Sequence, residues 1–188
     1  MIALRKNPIF KVLRHACPEW DWSKEKGWFY WRFALLGTHY LYAFENVPIK
    51  SLLDMTLVAV EMFREPERKL YFFHDGHSGW ISYPRKIRGF QIESLGEIEL
   101  LVSKHIYFRN PFHYDDNYNI IDTGGQWMIT FGHENDWRVF HCEQREVERL
   151  KASIDASGHS GVYEGSTENL GRKNNGSGEV SGHRDKGA

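Results

Sequence analysis

Residues 48–67 read PIKSLLDMTLVAVEMFREPE, and no other stretch constrains the fold as strongly. On a helix, Asp54, Glu61 and Glu65 mark only a narrow polar stripe. Leu52, Leu53, Met55, Leu57, Val58, Val60 and Met62 occupy the rest of the circumference. A helix that is apolar over most of its surface must be buried, so the remainder of the chain has to supply layers that cover it. Pro66, which has no amide donor, is expected to close it.

Strand-like segments are available for that purpose. WFYWRFALLG (28–37) reads as a strand, and THYLYAFENV (38–47) as its hairpin partner or, alternatively, as a helix start. KLYFFHD, WISYP and IRGFQI within residues 69–92 form three further short pieces separated by turn residues. YNIID (118–122), QWMITF (126–131) and WRVFH (137–141) complete the set. QWMITF alternates cleanly, with Trp127, Ile129 and Phe131 on one face and Met128 and Thr130 on the other. Thr123-Gly124-Gly125 is a hairpin turn, too short to cradle a phosphate.

Three more helices are expected. Asn7-Pro8 fits a cap followed by a first-turn proline, with Phe10, Leu13 and Cys17 continuing one face until Pro18. SLGE (94–97) is a capping box in which the Ser94 hydroxyl accepts from the Glu97 amide and the Glu97 carboxylate reaches back to the cap. Leu95, Ile98, Leu101, Val102 and His105 follow at helical spacing. EQREVERLKASI places Val147, Leu150 and Ile154 on the narrow face of a closing helix. The expected fold is therefore α+β: an antiparallel or mixed sheet of about six to eight short strands, with three or four packed helices.

The chain has 188 residues, enough for one domain and a tail. The tail is expected at residues 155–188, DASGHSGVYEGSTENLGRKNNGSGEVSGHRDKGA, whose Gly, Ser and Asn content leaves too little apolar area to offset the entropy of ordering. Residues 1–154 then form the single α+β domain. Aromatic residues make up 15% of the chain and supply the large buried area such a core requires. Trp20, Trp22, Trp28, Tyr30 and Trp31 are the densest group. A WFYW strand cannot bury both faces unless layers cover each side; otherwise one face is left for a partner.

Lys and Arg total 24 against 25 Asp and Glu, without long blocks of one sign. A broad nucleic-acid-binding face is not suggested, and KEK (24–26) and RKIR (85–88) are the only local basic runs. The two cysteines, Cys17 and Cys142, lack CxxC spacing, which argues against a zinc ribbon or disulfide scaffold. The start lacks the apolar core of a secretory signal, and no stretch is apolar enough to span a membrane. A soluble, cytoplasmic protein is the expectation.

Two loops carry the candidate chemistry. YFF-HDGHSG-WISY and ITF-GHEND-WRVF share one layout: an aromatic before the loop, histidine and carboxylate inside it, and Trp80 or Trp137 after it. The plainer reading is a pair of polar turns, since Asp75-Gly76 and Asn135-Asp136 suit tight reversals. The sharper reading is a metal site. If both loops open at one end of the sheet, His74, His77 and His133 could converge with Asp75, Glu134 or Asp136 on a divalent transition metal such as zinc or iron(II). The HDGH spacing is not the helical HExxH pattern. His113, Asp115, Asp116 and Asp122 form a weaker carboxylate cluster that could hold magnesium, without the order of an EF-hand. His141 and Cys142 are adjacent on a strand and point to opposite faces, so they are not a nucleophile and its base. GxSxG, P-loop and GxGxxG patterns are absent.

The capped helix, strand, turn and strand of residues 94–141, and especially YNIIDTGGQWMITFGHENDWRVF, resemble small uncharacterised bacterial α+β domains of the toxin-immunity type. The resemblance implies a non-enzymatic module that binds another protein, such as a toxin, with no cofactor, and it identifies no site residues. On the residues themselves, Trp80 and Trp137 would be aromatic anchors at the loop bases, while Asp75, Glu134 and Asp136 would face basic groups of the partner. The alternative is a metal-dependent hydrolase built on the histidine loops.

Overall fold

A computed structural model describes residues 1–4, 6–16, 39–43, 47–74, 89–102, 118–131 and 137–166. Eight strands form one sheet: β1 (Ile2–Leu4), β2 (His39–Ala43), β3 (Leu70–His74), β4 (Gly89–Ile92), β5 (Tyr118–Asp122), β6 (Trp127–Phe131), β7 (Trp137–His141) and β8 (Val162–Ser166). Their order across the sheet is β1-β4-β3-β5-β6-β7-β2-β8, and every pairing is antiparallel. Among the described residues four helices accompany them: α1 (Lys6–Ala16), α2 (Ile49–Phe63), α3 (Leu95–Val102) and α4 (Gln144–Ala156). The architecture is α+β, as the alternation of patterns predicts.

The register sorts side chains onto two faces, because directly paired residues point the same way. Phe72, Ile120, Ile129, Val139 and Leu41 form one continuous row across β3, β5, β6, β7 and β2. They join Leu53, Met55 and Val60 of α2, Ile98 and Leu101 of α3, and Val147, Leu150 and Ile154 of α4 in a single apolar core. Fully burying each such aliphatic side chain contributes about 1.5–3 kcal/mol. The opposite face is buried along its central strands as well: Tyr71, Phe73, Ile121, Met128 and Phe140 are enclosed there, and Ile9 and Val12 of α1 are buried too. The first turn of α1 begins at Lys6, so Asn7 lies inside the helix rather than capping it.

The all-apolar segment is buried as its composition demands, with Met55, Ala59 and Val60 fully enclosed. The helix ends at Phe63, before Pro66, and Arg64 is already extended with φ −67° and ψ 123°. In the capping box, the Glu97 carboxylate reaches the amide of Glu93 at 2.8 Å, one residue before Ser94. Its other oxygen takes the α-amino group of Met1.

Two expectations are corrected. Both edges of β2 are occupied, by β7 on one side and β8 on the other. No edge of β2 is left for a hairpin with residues 28–37, which lie outside the described residues. Residues 155–166 are not a disordered tail. They finish α4, turn through Gly158 at φ 78°, and return as β8 against β2. Glycine at Gly165 is required by packing there, since the Tyr40 ring lies where a Cβ would sit, 2.3 Å away. Long-range pairing and an aromatic laid over a glycine order a segment whose composition alone argues for disorder.

Candidate functional site

His74, Tyr118, Phe131, Trp137, Ala43 and Val162 occupy one row at one end of the sheet. β3 and β6 run in the same direction with β5 between them. Segments 75–88 and 132–136 therefore begin at the same end, from strands two spacings apart, about 10 Å. The β6–β7 reversal is a hairpin, with Phe131 opposite Trp137. β3 returns through β4, with Phe73 opposite Gly89. Asp75, His77, Trp80, His133, Glu134 and Asp136 lie outside the described residues, and His74 is described by its backbone alone.

Trp137 is not a surface anchor. It is fully buried in the helix-side core, and its indole Nε1 donates to Thr56 Oγ1 at 3.0 Å. Thr56 in turn donates to the Leu52 carbonyl at 2.7 Å. The expectation failed because the position after a loop says nothing about the face of the following strand. Trp137 points into the core, in line with Val139 and His141 (the period-2 rule).

Beside that row lies an aromatic patch on the face away from α2 and α4. Tyr42 and Tyr163 are cross-strand partners, with ring centroids 5.5 Å apart. Tyr40 lies 5.8 Å from Tyr42 and 5.5 Å from Phe140. Tyr163 is 54% exposed, and Arg138 is paired with Tyr42 on the same face. The alternation in THYLYA places Tyr40 and Tyr42 together. Tyr163 was hidden by the assignment of its segment to the tail.

The opposite end of the sheet is polar and tightly tied. Asp122 is fully buried. Its Oδ1 accepts from the Gly125 amide at 2.8 Å, and its Oδ2 faces Arg68 Nη1 at 3.4 Å. Gly125 has φ 66°, a left-handed conformation suited to glycine. Asp122 is thus committed to a turn and an ion pair; His113, Asp115 and Asp116, the other members of the expected carboxylate cluster, lie outside the described residues. Among the described residues, no group of three or more His, Cys, Asp or Glu is arranged to hold a metal.

His141 ends β7 on the core face and is 6% exposed. Its Nδ1 accepts from the Glu143 amide at 3.0 Å, and its ring lies 4.7 Å from that of Phe63. Burial holds its pKa below the ordinary imidazole value, against the pull of the Glu146, Glu143 and Asp122 carboxylates. Cys142 is a free thiol at the surface. Partial shielding, then Glu143 and Asp122, push its pKa up, which keeps it a thiol rather than an activated nucleophile.

Comparison with models of protein families, with curated proteins and with solved structures finds no match in any of the three. Among the described residues, no helix is long and apolar enough to cross a membrane.

Proposed function

We propose that this chain is a protein-binding module, an immunity-type inhibitor that acts inside the cell by occluding a toxin. The observation that supports it is the common row of His74, Phe131 and Trp137. It makes the segments bearing Asp75, Trp80, Glu134 and Asp136 start from one end of a rigid antiparallel sheet, the arrangement in which loops serve as recognition elements. The Tyr42–Tyr163 pair sits one residue in from that end and extends the surface with rings that tolerate both water and burial. Acids on the loops give a partner with a basic face the matching charge.

The same row supports a second reading, in which His74, His77 and His133 share a transition metal for hydrolysis. One pair of experiments separates the two. Metal content of the purified protein should be substoichiometric, and association with the partner should survive H74A/H77A but be lost in D75K/E134K/D136K and weakened in Y163A. A stoichiometric metal that disappears in H74A/H77A, or partner binding indifferent to the charge reversals, overturns the inhibitor reading.

A further inference from the structure

The start of α4 has an unusual cap. Its N-cap residue Glu143 makes no side-chain capping bond. The amide of that residue is instead held by the Nδ1 lone pair of His141, two residues earlier on β7. A ring nitrogen that accepts a hydrogen bond carries no proton, so this contact exists only with neutral imidazole. We propose that the β7–α4 junction is an acid-sensitive latch, in which a proton on His141 Nδ1 displaces the Glu143 amide and frees the first turn of α4.

The surroundings give the imidazolium little to replace what it loses. Phe63 of α2 presents an aromatic ring, and β2 presents His39 directly across the ladder, a residue with no anionic group. Three carboxylates are near, and each is already engaged. Glu146 of α4 meets Arg149 at 2.8 Å and Arg145 at 3.5 Å. Glu143 meets Arg145 at 3.2 Å, and Asp122 of β5 meets Arg68. The positive end of the α4 dipole also points at the ring. On the far side, α4 seals the core with Val147, Leu150 and Ile154 and leads directly into β8. Release at the latch therefore loosens the wall over β2 and β7 and the edge strand beyond it.

The test uses the full chain. His141 ring resonances and amide exchange protection are followed by NMR from pH 8 to pH 5. Protection at Glu143 and Glu146 should fall about fivefold, the scale of one lost hydrogen bond, in step with protonation of His141, while Ile129 in β6 keeps its protection. H141N, whose side-chain oxygen can accept from Glu143 without titrating, should flatten the response. If that variant does not fold, the wild-type titration decides alone. Unchanged Glu143 protection through the His141 titration overturns the latch. So does equal loss at Ile129, or a full pH response retained in H141N.

Discussion

Trp137 and Thr56, 81 positions apart, share a hydrogen bond of 3.0 Å that joins the loop end of β7 to the middle of α2. Both residues are fully buried, so neither can turn to water when the other is removed. T56V strands the indole N–H and should cost about 1–3 kcal/mol. W137F strands less, because Thr56 keeps its bond to Leu52, but it leaves a small void. The double variant should lose less than the sum of the two, and urea unfolding of the four proteins in the cycle measures the coupling. Strict additivity would show that the bond is absent in solution.

Asn119 and Thr130 are a second buried polar pair, on the other face, where Oδ1 accepts from Thr130 Oγ1 at 2.9 Å. Asn119 Nδ2 finds no partner among the described residues. Phe73, Ile121 and Met128 close the site with apolar surface. T130V leaves the amide wholly unpaired and should destabilise by about 1–3 kcal/mol. N119V/T130V removes both polar groups and should recover that loss or exceed it, since a half-satisfied buried pair is worse than none. A double variant as unstable as T130V would place an unseen partner on Nδ2.

These two pairs indicate where the sequence was readable. β5, β6 and β7 carry apolar runs and alternation strong enough to identify them, and the buried face of α4 is spelled out by Val147, Leu150 and Ile154. Recognition of α2 followed from its apolar circumference. β8 was invisible because VYEGS has little propensity of its own; its order comes from β2 and from Tyr40, 123 positions before Tyr163. Trp137 was misread for a related reason: a loop's flank predicts a strand, while which face is core depends on register across five neighbouring strands. The reversal between β6 and β7 was legible from Phe131 and Trp137, whereas the short loop read between His74 and Trp80 lies outside the described residues; the common end of the two segments became legible only once β5 was placed between β3 and β6.

Gly165 tests how β8 is held. Tyr40 Cζ lies 2.3 Å and its Oη 2.6 Å from the position a Cβ would take, so G165A must push the ring aside. The phenol end is mobile, yet the ring body is fixed by Phe140 at 5.5 Å, and overpacking of this kind costs about 1–3 kcal/mol. The effect should appear first at the sheet edge. Limited proteolysis should cut G165A between α4 and β8 faster than the parent chain, while Y40A/G165A should be cut no faster than Y40A alone. Equal cleavage of G165A and the parent chain would mean that β8 does not depend on that contact.

His141 and Tyr71 should bracket the pH range of full stability. Burial lowers the His141 pKa in the folded chain, so above the unfolded value of about 6.5 both states are neutral and nothing is lost. Below it the unfolded chain takes up a proton that the folded chain resists, and stability falls until the folded imidazole also titrates. Burial raises the Tyr71 pKa, so above about pH 10 the unfolded chain releases a proton that the folded chain keeps, and stability falls as pH rises. Urea midpoints should therefore decline on both sides, with H141N flattening the acid limb and Y71F the alkaline one. An acid limb unchanged in H141N would assign it to the carboxylates instead, and would remove His141 as the group that couples protons to this fold.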